Sequence, residues 1–190
     1  MKIFSNIKRQ KEEKEHNIKY KIGEFFAELA IVITITLFVL FFVILNARIP
    51  SESMENGILV GDLIIGNRLA YTMSEPERYD IVMFKYPDDE SEIYIKRIIG
   101  LPGEKITIKN GKVYVNDGTT PLDDSYIKEP MDTTEYLEFE VPENSYFMLG
   151  DNRNESNDSR YWQNHYVKKD KVLAKASFRY FPFNRIGFVE

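Results

Sequence analysis

Apolar residues run without a charged side chain from Leu29 to Leu45, "LAIVITITLFVLFFVIL", and the apolar character extends from Phe25 to Ala47. At about 1.5 Å per residue this longer stretch matches a hydrocarbon core of about 30 Å, so it predicts one transmembrane helix. Beyond it the apolar period changes to two. "EKITIKNGKVYVNDG" alternates on both sides of Asn110-Gly111, the dipeptide that best tolerates the positive φ angles of a tight hairpin turn. "YLEFEV" places Leu137, Phe139 and Val141 on one face and Glu138 and Glu140 on the other. "DIVMFKYP" and "EIYIKRIIGLPG" read as further strands, each closed by a proline or glycine turn. Only "KKDKVLAKASFRYF" is equivocal between strand and helix. The pattern predicts an N-terminal segment 1–24, a transmembrane helix 25–47 and a mostly β domain 48–190 rich in tyrosine and phenylalanine.

Charge orients this arrangement. Lys2, Lys8, Arg9, Lys11, Lys14, Lys19 and Lys21 precede the apolar run and only Arg48 follows closely, which places the N-terminus in the cytoplasm and the β domain outside. A cleaved secretory leader has an apolar centre of about 7–15 residues ending in a small-x-small site. Here the run is longer and ends in Asn46-Ala47-Arg48-Ile49-Pro50, which reads as an uncleaved anchor. The net charge of −5 is unevenly spread, residues 1–24 contributing +3 and the rest −8, so the domain lacks the basic footprint of a nucleic-acid binder. With no cysteine there is no disulfide framework, cysteine nucleophile or thiolate metal site, and two histidines are too few for most metal centres. HExxH, P-loop and dinucleotide glycine patterns are absent.

Three segments carry groups suited to chemistry: "PSESM" at Pro50–Met54, "YIKRIIGLPG" at Tyr94–Gly103 and "GDNRNESNDSRYW" at Gly150–Trp162. In the second, alternation puts Tyr94, Lys96 and Ile98 on one face and Ile93, Ile95, Arg97 and Ile99 on the other. Arginine keeps its charge almost anywhere, whereas a desolvated lysine sheds its proton, so Lys96 is the better buried base. It reads equally as a strand lysine with its stem along the sheet. A neutral lysine could activate a serine hydroxyl. Ser51 and Ser53 read as turn residues or as nucleophile candidates at the membrane exit. The alternative base is His165, because His16 falls across the membrane from every external residue. The third segment is either a polar loop held by Asx turns and an Asp–Arg pair, or one in which Ser156 bonds the Lys96 amine while Asp158 and Arg160 hold the loop.

Taken in order, "PSESM", Gly61-Asp62, "YDIVMFKYP", "YIKRIIGLPGE" and "GDNRNESNDSR" closely resemble the type I signal peptidases, particularly the compact single-span form of Gram-positive bacteria. The resemblance runs from the anchor to Phe181. It implies a signal-peptidase-type β domain on one N-terminal helix, acting as a membrane-anchored serine endopeptidase that removes signal peptides after a small residue. It assigns Ser53 as nucleophile, Lys96 as general base and Ser51 as hydroxyl donor to the oxyanion beside the Ser53 N–H. It makes Ser156 the group that orients the lysine amine and Asp158 with Arg160 the pair behind it, with Gly150, Asp151, Asn152 and Arg153 completing the box. Ile49, Pro50, Met54, Ile58, Tyr94 and Ile95 are then expected to line the pocket for the small residue. The implied partners are secretory preproteins and membrane lipid, with no nucleic acid, metal or cofactor.

One box departs from the family pattern. Ser-Met-x-Pro-Thr is common there, whereas Asn56-Gly57 stand here in place of Pro-Thr, which bears on catalytic efficiency and pocket shape. The competing readings are a catalytically impaired homologue, an anchored extracellular binding domain, and a self-cleaving repressor-type protease. The membrane span and the lack of a helix-turn-helix argue against the last.

Overall fold

The computed structural model describes residues 2–189, with side chains from residue 18 onward; the side chains of Lys2, Lys8, Arg9, Lys11, Lys14 and His16 lie outside that set. Two units divide the chain, residues 1–42 and residues 43–190. The first contains helix α1, Lys2–Phe38, followed by a π-helical turn at Val39–Val43. Ile18–Val43 is long and apolar enough to cross a membrane, with a mean hydropathy of 2.6. Phe25, Ile31, Leu37 and Phe41 are all exposed on it, an apolar surface too extensive to be left to water. Its two threonine hydroxyls are satisfied internally: Thr34 donates to the Ala30 carbonyl and Thr36 to that of Val32, each at 2.8 Å, as an apolar surrounding demands.

The helical path ends at Val43, four residues before the Ala47 boundary read from hydropathy, and Ile44–Arg48 form strand β1 instead. The cause is tertiary. β1 pairs antiparallel with β2 (Leu63–Asn67) from Ile44↔Asn67 to Arg48↔Leu63, and Leu45 and Ala47 pack on the core. A continuous apolar run does not distinguish a membrane helix from a buried strand that continues it.

The remaining strands are β3 (Ile81–Tyr86), β4 (Asp89–Gly100), β5 (Lys105–Lys109), β6 (Lys112–Val115), β7 (Leu137–Glu140), β8 (Ser145–Leu149), β9 (Val167–Lys168), β10 (Val172–Phe181) and β11 (Gly187–Phe188). They form an eight-stranded sheet in the order β1-β2-β10-β3-β4-β8-β9, with β11 on β10, and a three-stranded sheet β6-β5-β7. The fold is therefore mostly β with one apolar N-terminal helix, as expected. The equivocal C-terminal segment resolves as a short 3-10 turn, Lys169–Lys171, and then strand β10. Asn110 and Gly111 both take positive φ, 49° and 70°, in the β5–β6 turn, the conformation for which that dipeptide is suited.

Strand alternation explains how one sheet serves two cores. In β3, Ile81 and Met83 enter a cluster with Ile49, Met54, Ile58 and Ile64, while Val82 and Phe84 enter another with Ile98, Met148 and Trp162. A third cluster joins Phe139 and Val141 of the small-sheet region to Phe147 and Leu149 of β8. Burying both faces of β3 removes about 2 kcal/mol of apolar exposure per side chain and leaves the middle of the sheet little freedom to shift. β4 lies next to β3, so its residues inherit that rigidity.

Candidate active site

Two open sheet edges frame a cleft. β1 has a strand neighbour on one side only, and β8 pairs with β4 only at Arg97, Ile98 and Gly100, so residues 89–96 of β4 have no strand on that side among the described residues. Residues 45–51 and 92–96 line a cleft of about 670 Å³, with Ser53, Met54, Glu155 and Asn157 completing it. A larger groove of about 900 Å³ between Lys85, Pro142, Tyr166 and Lys171 contains none of Ser51, Ser53 and Lys96. Volume alone therefore does not locate the chemistry; the convergence of polar groups does.

Ser53 and Lys96 meet in the cleft. A hydrogen bond of 2.6 Å joins Lys96 Nζ to Ser53 Oγ across 43 residues of sequence. Both side chains are buried, at 6 % and 4 % relative exposure. Burial pushes the Lys96 amine down to about 8, against the charges of Asp158 and Asp151, which pull it upward. The Lys96 ammonium also stands 5.6 Å from the centre of the Tyr94 ring, on the strand face the alternation assigns to both. A hydroxyl held against an amine that loses its proton near pH 8 is an arrangement capable of general-base activation.

The nucleophile candidate sits in a pair of successive hydrogen-bonded turns. Glu55 N–H donates to the Glu52 carbonyl at 2.9 Å and Ile58 N–H to that of Met54 at 3.1 Å. Ser51 Oγ lies 3.3 Å from Ser53 Oγ. The Ser53 N–H donates to no main-chain carbonyl among the described residues. Two donors, one hydroxyl and one amide, thus stand beside the Ser53 oxygen.

From below, the 150–160 loop holds this turn. Asn152 N–H donates to the Ser53 carbonyl at 3.1 Å, and Asn152 Nδ2 donates to that of Glu52 at 3.2 Å. Glycine is required at 150: a Cβ there would lie 2.4 Å from the Ser53 carbonyl oxygen and 2.2 Å from Ser156 Oγ, closer than any side chain tolerates. Asp158 accepts a fork from Arg160 at 2.7 and 2.8 Å and a third bond from Gly150 N–H at 3.0 Å. Arg97 makes a second buried fork to Asp151 at 2.8 and 2.7 Å. Bidentate pairs fix orientation as well as distance, so the Asp158–Arg160 fork braces the loop internally and the Arg97–Asp151 fork sets it against β4.

The expected grouping of side chains is largely formed, with two differences. Ser156 is buried close to Gly150, but the bond anticipated to the Lys96 amine is not made; its hydroxyl has no hydrogen-bond partner among the described residues, and the amine donates to the Ile95 carbonyl at 3.2 Å. Ile49, Pro50, Met54, Tyr94 and Ile95 line the cleft, whereas Ile58 is fully buried behind Met54 in the core. Ile58 is one turn of chain beyond Met54 and its side chain is directed inward, so it supports the wall without forming it. His165 is remote in role: its Nδ1 contacts the Ser159 carbonyl at 2.6 Å and its ring packs on Phe139.

Sequence reasoning missed Leu45, Asn46, Ala47 and Arg48 in the cleft, because the hydropathy pattern assigned the first three to the membrane. It missed Glu92 and Ile93 because the open edge of β4 depends on where β8 stops. At the Asn56-Gly57 departure the backbone takes its own path: Asn56 has φ 115°, which proline, held near −65°, does not reach. Asn56 Nδ2 donates to the Tyr126 and Ile127 carbonyls at 2.9 and 3.3 Å, anchoring the turn by its side chain.

Known proteins resemble this chain over most of its length. The family described as signal peptidase, peptidase S26, matches residues 22–181. A probable signal peptidase I-2 of Synechocystis sp. is 34 % identical over 98 % of this chain and 84 % of its own length. A signal peptidase I of Leptolyngbya laminosa is 38 % identical over 73 % of this chain and 70 % of its own. One of Bacillus caldolyticus is 34 % identical over 86 % of this chain and 91 % of its own. With a family match over most of its length and relatives of this identity covering nearly all of it, the chain belongs to the signal peptidase family, peptidase S26.

Proposed function

We propose that this peptidase cleaves signal peptides from secreted preproteins with Ser53 as nucleophile and Lys96 as general base. The observation that carries the assignment is the buried 2.6 Å contact between Ser53 Oγ and an amine pushed down to about 8. Neutral Lys96 accepts the Ser53 proton as the serine oxygen bonds to the scissile carbonyl carbon. The oxyanion so formed is met by the Ser51 hydroxyl and the Ser53 N–H. Collapse breaks the C–N bond while Lys96 returns the proton to the leaving amine. Water, deprotonated by Lys96, then attacks the ester and restores Ser53.

Substrate binding follows from the two open edges. An extended peptide between 45–51 and 92–96 gains main-chain hydrogen bonds, and alternate side chains face the apolar wall formed by Ile49, Pro50, Met54, Tyr94 and Ile95. The long side chains crowding Ser53 favour a small residue before the cut. We further propose that α1 anchors the chain in the cell membrane as a single span, N-terminus cytoplasmic and β unit outside. Enzyme and preprotein then share one surface, which raises their effective concentration.

Two results are expected. Below pH 8 the free-amine fraction, and with it kcat/KM, should fall about tenfold per pH unit; a flat profile from pH 6 to 9 with chemistry rate-limiting would remove Lys96 as base. Ser51→Ala should cost about 100- to 1,000-fold in kcat with KM little changed, and a parental rate would take Ser51 out of the oxyanion site. The decisive experiment for the function is incubation of the full chain in detergent with a preprotein bearing alanine before its junction. N-terminal sequencing of the product should place the cut at that junction, and no cut between pH 7 and 9 would sink the reading.

A further inference from the structure

The C-terminal segment "FRYFPFNRIGFVE" has no part in the chemistry so far, yet it reaches the loop that bears Ser53. Arg179, in β10, and Arg185, in the 3-10 turn Phe183–Arg185, both contact the same two acceptors. Arg179 Nη1 donates to the Gly57 carbonyl at 2.8 Å and to Asp62 Oδ2 at 3.4 Å. Arg185 Nη1 donates to both Asp62 oxygens at 2.9 and 3.1 Å, while its Nη2 donates to the Gly57 carbonyl at 3.2 Å. Asp62 is 1 % exposed and also accepts the Leu59 N–H at 2.9 Å. Its backbone closes the loop, since Ile49 N–H donates to the Asp62 carbonyl at 3.0 Å and Gly61 N–H to that of Ile49 at 2.9 Å.

We infer that Arg185, with Arg179, is a positioning residue for Ser53: the two guanidinium groups hold the Gly57 end of the nucleophile's turn against Asp62 while Asn152 holds the Ser53 end. The turn is thereby fixed at both ends. Arginine is suited to this because one planar group spans a carboxylate and a carbonyl at once, which a lysine ammonium does not. The clamp also stands where a proline-threonine pair would have stiffened the chain covalently. Glycine at 57 gives the chain more intrinsic freedom than that pair would, and the arginines restrain it through the Gly57 carbonyl, beside the Asn56 side chain that anchors the turn to Tyr126 and Ile127. Neither arginine touches the cleft or Lys96, so the effect passes only through the position of Ser53.

The inference rests on Ser53 being the nucleophile, and its test separates the two. Single-turnover cleavage of the preprotein is measured with the full-length enzyme in detergent, raised to saturation, for the parent, Ser53→Ala, Arg185→Gln and Arg185→Lys. The plateau rate constant belongs to correctly folded, substrate-bound enzyme, whereas an inactive fraction shifts only the half-saturating concentration. Arg185→Gln should lower the plateau about tenfold, leaving its pH limb in place because the Lys96 surroundings are unchanged. Arg185→Lys, which keeps a charge facing Asp62, should recover the melting temperature more than the plateau. A parental plateau in Arg185→Gln, or full recovery of the plateau in Arg185→Lys, would overturn the clamp. Parental activity in Ser53→Ala would overturn the nucleophile assignment, whatever the arginine variants do.

Discussion

Lys96→Met is expected to lose about ten-thousand-fold or more in kcat and, at the same time, to stabilise the β unit by about 2 kcal/mol at pH 7. The loss of activity follows from removing the proposed base; Ser53→Ala should lose as much, and the double variant little more, if the two groups act as the proposed unit. The gain in stability follows from the same burial. An amine displaced from 10.5 to about 8 costs the folded state about 3 kcal/mol below pH 8, where both states carry the proton. Part of that is offset by the bond to Ser53 Oγ, about 1 kcal/mol, and methionine fills similar volume with no charge to desolvate.

The sign with pH is specific. Between pH 8 and 10.5 the unfolded state binds more protons at this site than the folded state, so parental stability rises with pH across that window. Below pH 8 the penalty is present in full, so the advantage of Lys96→Met should be largest at pH 7 and below and shrink toward pH 10. Trp162, the single tryptophan, is buried against Phe84, Tyr86 and Tyr94 and offers the readout in denaturant titrations. Equal or lower stability of Lys96→Met at pH 7 would show that the amine is not desolvated as described. The site would then resemble others in which activity is held at a cost in stability only by analogy.

Arg160→Ala is the second large effect, and it falls on stability first. The Arg160 side chain is 2 % exposed and Asp158 fully buried, so the variant strands a carboxylate in the core with two main-chain donors, the Gly150 and residue-160 N–H groups, left to meet it. Breaking such a pair from one side costs about 3–5 kcal/mol. It also removes the bond from Arg160 Nη2 to the Arg153 carbonyl, loosening the strip that supports Ser53. Because the Asp158 charge raises the Lys96 amine, a carboxylate relieved of its guanidinium should move the pH limb of cleavage upward. Asp158→Asn in the Arg160→Ala background should restore part of the stability and return the limb, since the stranded charge is gone. An unchanged denaturation midpoint in Arg160→Ala would reduce the pair to a bystander.

Some of this was readable before any coordinates, and the reason is local. The Asn110-Gly111 hairpin, the alternation of "YLEFEV" and the long apolar run express backbone preferences and burial periods that neighbouring residues share. The order of "PSESM", "YIKR" and "GDNRNESNDSR" carried the expectation that Ser53 and Lys96 work together. Their meeting at 2.6 Å is a different kind of fact. It depends on β3 pairing with β4, on both faces of β3 being buried, and on Gly150 lying close enough to the Ser53 carbonyl to exclude a side chain.

By itself, then, the sequence determined the mostly β class, the apolar helix, the hairpin register and the candidate groups, because periodicity and turn chemistry act over a few residues. Only the tertiary structure decided where the helix yields to β1, since the Ile44–Arg48 run is apolar enough for either fate until β2 pairs with it. It alone made Lys96 a low-pKa amine, turned Ile58 away from the cleft, left Ser156 without its expected bond, and brought Arg179 and Arg185 to Asp62 across more than a hundred residues. Desolvation, facing and clamping are properties of what surrounds a side chain, and those surroundings come from distant parts of the chain.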